Sequence, residues 1–199
     1  VLFWTVITAG AESLSEGKKF TAEEILQKLE TVYNCESFSA SFQQVSTLEA
    51  MDITDTAYGR AIFKRPQKMF WEYQKPVPQK IISDGDMLWV YKPEDNQVLV
   101  GKAPIFFSKG KGASFLADIR SIRQDFIVTR ADEKRQEDNC YVLHLDWKQE
   151  KFDLGEIYAF ISKETFHIVK VETITTYGDR TVLTFDNIQL NQHFDDERF

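Results

Sequence analysis

Residues 64–98 read KRPQKMFWEYQKPVPQKIISDGDMLWVYKPEDNQV, and this run decides the fold class. Lys64-Arg65-Pro66 leads to Trp71-Glu72-Tyr73, then Ser83-Asp84-Gly85, Leu88-Trp89-Val90-Tyr91 and Gln97-Val98. Short blocks rich in β-branched and aromatic residues sit between Pro, Gly and Asp-Gly signals, the signature of strands joined by tight turns. An arginine beside a proline, large aromatics at strand spacing and the absence of any catalytic group suit a concave apolar binding surface better than an active site.

The same rhythm extends both ways. Upstream, Phe38, Ala40 and Phe42 alternate with Ser37, Ser39, Ser41 and Gln43, a strand with one wet face. Strands are expected at 58–64, 69–73, 80–83, 87–91, 97–100, 126–129, 141–147, 157–162, 168–176 and 180–190, with turns at Asp84-Gly85, Pro93 to Asn96, Leu154-Gly155, Lys163-Glu164 and Tyr177-Gly178-Asp179. Two segments follow a helical period instead. Between Phe20 and Cys35, Thr21 and Glu24 have capping-box spacing, Phe20 is placed to staple onto Ile25, and Ile25, Leu26, Leu29, Val32 and Tyr33 form one apolar stripe. From Pro104 to Ile122, Ile105, Phe106 and Phe107 precede Lys109-Gly110-Lys111-Gly112, then Ser114 stands as a cap before Phe115, Leu116, Ile119 and Ile122. This insertion reads equally as a lid on glycine hinges or as a core helix crossing the sheet. The fold class that follows is α+β: a strongly curved antiparallel sheet with one helix and a helical insertion on its concave side. Met69, Trp71 and Tyr73 against Phe70 make one strand apolar on both faces.

A length of 199 residues suits a single domain. The aromatic fraction is 14%, with sixteen Phe, seven Tyr and four Trp, which supplies flat side chains for a core and for a greasy pocket. A net charge of −7 and a pI near 5.1 argue against nucleic acid as a partner. Val1 to Ile7 is apolar and runs into Ala9-Gly10-Ala11. Residues 1–11 thus read as the remnant of a secretory signal peptide cleaved after Ala11, and 12–199 as one exported domain. Cys35 and Cys140 could close a long loop in an oxidising compartment or remain two buried thiols.

His144, His167 and His193 lack paired ligand spacing, so no metal site is expected. No G-x-S-x-G elbow or P-loop is present, and no enzyme activity or cofactor is expected. The neighbours Glu23 with Glu24 and Asp195 with Asp196 read as solvated charges. Arg65 offers five rigid donors at the end of a strand, either across the mouth of the sheet or to a nearby surface carboxylate.

Gly59 with Lys64-Arg65-Pro66, Trp71-x-Tyr73, Ser83-Asp84-Gly85, Leu88-Trp89 with Tyr91, Gln97-Val98, and upstream Phe38-x-Ala40-x-Phe42-x-Gln44 together resemble the periplasmic lipoprotein carrier proteins of the LolA family. The order and spacing of the motifs carry the resemblance, which covers nearly all of the chain after Ala11. It implies an incomplete β-barrel, a half-barrel, with a helical lid over a hydrophobic cavity for lipoprotein acyl chains. It also implies a monomeric periplasmic carrier of a Gram-negative bacterium. Such a carrier takes cargo from an inner-membrane ABC-type releasing complex and gives it to an outer-membrane lipoprotein acceptor. By resemblance Arg65 is the latch that bonds lid carbonyls in the empty state, and Ile25, Leu29, Trp71, Tyr73, Trp89, Leu116, Ile119 and Val171 line the cavity. Phe70 departs from the family, which carries a polar or basic residue there, and family chains continue past the position of Phe199 into a final strand. A general lipid-binding or envelope-sensing module is the alternative on the same fold; a lipid hydrolase would need a nucleophile and base converging on the pocket.

Overall fold

The capping box at Thr21 forms as its spacing predicts. The Glu24 N–H donates to Thr21 Oγ1 (3.1 Å) and the Thr21 N–H donates to Glu24 Oε2 (2.9 Å), which starts helix α1, Ala22–Val32. In the computed structural model, which describes residues 20–103, 114–148 and 154–199, α1 turns Ile25, Leu26 and Leu29 fully inward. Phe20 meets Tyr141 and Phe166 edge-on, at 5.7 and 6.1 Å. The expected signal remnant at 1–11 and the glycine-rich part of the insertion lie outside the described residues.

After α1 the chain enters β1 (Ser37–Leu48) and continues through β2 (Ile53–Lys64), β3 (Lys68–Lys75), β4 (Gln79–Ser83), β5 (Met87–Lys92) and β6 (Gln97–Lys102). Helix α2 (Ser121–Asp125) precedes β7 (Phe126–Arg130), β8 (Cys140–Trp147), β9 (Leu154–Ser162), β10 (Ile168–Thr175) and β11 (Arg180–Leu190). Among the described residues these eleven strands join one sheet in the order β6-β5-β4-β3-β2-β1-β11-β10-β9-β8-β7, and every neighbouring pair is antiparallel. Among the described residues the sheet is open, with β6 and β7 as its two edges. The chain therefore runs out to one end of the strand order at β6 and begins again at the other at β7. Of the segment between β6 and β7, the described residues Phe115, Leu116, Ile119 and Ile122 are buried in the main core.

The Asp84-Gly85 turn forms as its residues suggest. Asp84 Oδ1 accepts the N–H groups of Asp86 and Met87 (2.9 and 2.8 Å), and Gly85 takes φ +107°. Those two donors hold the Asp84 carboxyl below its ordinary range. Gly59 sits at a register shift between β2 and β3, where an added Cβ would lie 2.0 Å from the Glu72 carbonyl oxygen and 2.8 Å from the Phe42 ring. Only glycine permits that approach.

Three expectations need correction. Leu154 opens β9 rather than forming a turn with Gly155. Phe115, Leu116, Ile119 and Ile122 are all buried, but Phe115 and Leu116 sit on a 3-10 turn (Ser114–Ala117), Ile119 in the turn that follows and Ile122 on the short α2, rather than on one helix. The break falls at Asp118, whose Oδ1 accepts the Arg120 N–H (3.2 Å), a local side-chain bond that competes with helix continuation. Of the charges read as solvated, Glu24 closes the capping box, Glu23 pairs with Arg123 (2.7 Å), and Asp196 pairs with Lys64 (2.8 Å) and Lys68 (3.0 Å) and ties the C-terminal residues to β2 and β3.

One face of the sheet carries the main core. On the other face Ala131, Cys140, Val142, Tyr158 and Phe160 form a small separate cluster. The Arg135 guanidinium lies 4.0 Å over Tyr158 and the Lys170 ammonium 3.7 Å over Phe160. Cys35 belongs to the main core and Cys140 to the outer cluster, and both thiols are free.

Candidate functional site

Strand alternation assembles the inner face. Cross-strand partners share a face, so the registers Ala40↔Ala61, Ala61↔Trp71, Trp71↔Ile81 and Ile81↔Val90 trace one row across β1 to β5. Phe38↔Phe63, Phe63↔Met69, Met69↔Ser83 and Ser83↔Leu88 trace the next inward row. From the other half, Val171, Ala159 and Leu143 are successive partners on β10, β9 and β8. These rows are buried in a single cluster with the inward residues of α1 and with Leu116 and Ile119.

Aromatic contacts dominate beside β1 to β3. Phe38 stacks on Phe63 at 4.7 Å, Phe63 meets Trp71 edge-on at 5.5 Å, and Phe42 meets Trp71 and Tyr73 edge-on at 4.9 and 5.0 Å. Trp71 also reaches Phe185 of β11 at 6.3 Å, although β2 and β1 lie between. In a flat sheet those strands would be about 14 Å apart, and contact over that span goes with a sheet that curls toward this face.

Polar groups on this face are few and mostly partnered. Tyr73 donates its hydroxyl to Gln44 Oε1 (2.9 Å), and burial pushes its pKa up to about 12. Tyr33, at the end of α1, accepts the Ile168 N–H (3.1 Å), and burial raises its pKa as well. Both phenols remain neutral at physiological pH, so neither brings charge to an apolar interior. His167, near the Tyr33 ring, has its pKa lowered by burial.

Arg65 lies at the open end of β2. Its guanidinium Nη2 donates to the Cys35 carbonyl, in the connection just past α1, and its backbone N–H donates to the Glu36 carbonyl (2.9 Å). The peptide from Arg65 to Pro66 is cis. Around Arg65 a cleft of about 20 Å³ is bounded by Tyr33, Cys35, Phe63, Leu116 and Ile119, room for about one water molecule.

The residues expected at the lining divide into two groups. Ile25, Leu29, Trp71, Leu116, Ile119 and Val171 are buried together in the inner cluster, with Tyr73 half-buried against it. Trp89 is placed apart: its cross-strand partners are Ile82 and Val100, in the row with Phe70, on the outer face. Val90 holds the inward position instead. Phe38, Phe42, Phe63 and Phe115 belong to the inner layer too. The alternation of Phe38 and Phe42 signalled this, whereas the contributions of Phe63 and Phe115 depend on strand pairing and on how residues 114–125 pack.

Comparisons with known proteins agree with this architecture. The family model for the outer membrane lipoprotein carrier protein LolA matches residues 33–199. Outer-membrane lipoprotein carrier proteins from Methylobacillus flagellatus and Chromohalobacter salexigens are each 27% identical to the chain. They align over 94% and 89% of it and over 82% and 80% of their own lengths, respectively. One from Hahella chejuensis is 23% identical over 83% of this chain and 78% of its own. Among solved structures, a LolA superfamily protein from Nitrosomonas europaea superimposes with a TM-score of 0.50 at 16% identity, covering 90% of this chain and 97% of that one. An uncharacterized conserved protein from Thermus thermophilus reaches 0.56 at 12% identity, with 88% and 91% covered. With its open antiparallel sheet, its apolar inner face and a family match over residues 33–199, the chain belongs to the LolA family of outer membrane lipoprotein carrier proteins.

Proposed function

We propose that the chain is a periplasmic carrier that shelters lipoprotein acyl chains between the inner sheet face and a lid made of α1 and the 114–125 segment. It would receive them from an inner-membrane ABC-type releasing complex and pass them to an outer-membrane acceptor. The observation that carries the reading is a continuous aromatic and aliphatic layer, from Phe42 and Trp71 to Val171, covered by α1 residues rather than by a second sheet. Burying an acyl chain yields roughly 0.8 kcal/mol per methylene, so a lipid-length chain brings on the order of 10 kcal/mol to such a surface.

The closed arrangement already uses that surface. Ile25, Leu29, Leu116 and Ile119 occupy the apolar layer that an acyl chain would cover, so cargo must displace the lid, and lid closure competes with cargo. That competition makes binding reversible without chemistry. Arg65 acts as the latch: its donation to the Cys35 carbonyl favours the closed, empty state.

Displacement of a fluorescent fatty-acid analogue from the purified chain tests the reading. A triacylated lipopeptide should displace it with one-to-one stoichiometry and the same peptide without acyl groups should not. Equal behaviour of the two peptides would contradict acyl-chain recognition.

A further inference from the structure

Helix α1 is held by arginines at points that the Arg65 latch does not include. At its N-terminal end Arg130, the last residue of β7, donates from Nη1 to the Phe20 carbonyl (2.9 Å) and from Nη2 to Gln136 Oε1 (3.3 Å). Arg65 bonds the carbonyl of Cys35 beyond the opposite end of the helix. The two arginines come from the ends of β2 and β7, strands on different halves of the sheet. Between them Arg123 of α2 binds two carboxylates of α1. Its Nη1 lies 2.7 and 2.9 Å from the two Glu23 oxygens, and its Nε donates to Glu30. Glu23 and Glu30 are seven residues apart, hence two turns along one helical face, and a single guanidinium spans both.

We propose that Arg123 and Arg130 are positioning residues of the lid: Arg130 is a second latch on α1, and Arg123 locks α2 to α1 so that the two helices open as one body. The inference rests on the reading of α1 as a lid. One forked donor joining three side chains on two helices transmits displacement of either helix to the other. Arg130 is also an imperfect latch. Its Nε is buried with no hydrogen-bond partner among the described residues, an unmet donor that opening to water would satisfy. The closed state is therefore held at both ends, yet carries a built-in cost at one of them.

The chain holds its own reporters. Cys35 is buried in the main core beside the Arg65 latch, while Cys140 is buried in the cluster on the outer face. The ratio of their labelling rates with a small thiol reagent measures lid opening against general loosening. In Arg123→Gln and in Arg130→Gln the Cys35 to Cys140 ratio should rise about fivefold, the scale of one lost net hydrogen bond. Exchanging the charges, with Glu23→Arg, Glu30→Arg and Arg123→Glu together, should return it toward the original value. An unchanged ratio in both single variants overturns the proposal. Should either variant fail to fold, the unaltered chain is labelled in low salt and in 1 M salt, where screening of the exposed Arg123 and Glu23 pair should raise the ratio; a flat ratio then overturns the proposal. No cargo enters the assay, so its failure leaves acyl-chain carriage standing, whereas a raised ratio with no lipopeptide binding would overturn the carrier reading alone.

Discussion

Glu172 shows how a single side chain is stabilised on the outer face. Its side chain is only 5% exposed, and its Oε1 accepts from Arg180 (2.6 Å) and Arg135 (3.2 Å). Burial alone would raise its pKa, but the two guanidinium groups outweigh burial and hold it below the usual carboxylate range. A depressed folded pKa means a contribution that is complete above the unfolded pKa and is lost as pH falls through the folded one. Denaturant titrations should accordingly show Glu172→Gln about 2 kcal/mol less stable at pH 7, with the gap closing below pH 4. A gap independent of pH would show that packing, not charge, is lost. Gly59 is a steric counterpart. Because a Cβ there meets the Glu72 carbonyl at 2.0 Å, Gly59→Ala should cost roughly 2–4 kcal/mol, read from the denaturant midpoint; an unchanged midpoint would mean that β3 shifts freely. Gly59 was legible in the sequence as part of a motif, but its reason lies in a register shift that only the paired strands reveal.

At the scale of elements, α1 and all the expected strands could be read from period and turn chemistry, because the alternation of β1 and the stripe of α1 record which side is wet. Facing was harder. The β3–β4 register pairs Trp71 with Ile81, so odd-numbered residues point inward on both strands. Across the next turn Ile81 pairs with Val90, which makes even-numbered residues inward on β5 and sends Trp89 outward. Two apolar residues in sequence cannot disclose that switch. The consequence is measurable: Trp71→Ala should weaken binding of the fatty-acid analogue at least tenfold, while Trp89→Ala should leave it within about twofold, since a truncated buried aromatic loses far more contact than one outside the site. Equal losses would place the ligand on the wrong face of the sheet. Arg123 and Arg130 were illegible for a related reason, because their partners on and before α1 lie 93 to 110 residues away in sequence.

Among the described residues the molecule is one open sheet with an apolar face that cannot be left to water, and α1 and the 114–125 segment, not a second sheet, cover it. Helices held by a few arginines can leave more readily than a hydrogen-bonded strand layer, which suits a carrier that must return what it takes. Arg65→Leu should therefore shift the lid toward open, retain cargo longer and slow transfer to an acceptor membrane; transfer at the original rate would remove Arg65 from the latch. The most direct test of carriage is to mix the purified chain with inner-membrane vesicles bearing a labelled triacylated lipoprotein and the matching releasing complex, then add ATP. The account predicts a soluble one-to-one complex of chain and lipoprotein that forms only with ATP. Label that stays in the vesicles, while the chain still binds free fatty acids, would contradict lipoprotein carriage and leave a lipid-binding protein on the same fold.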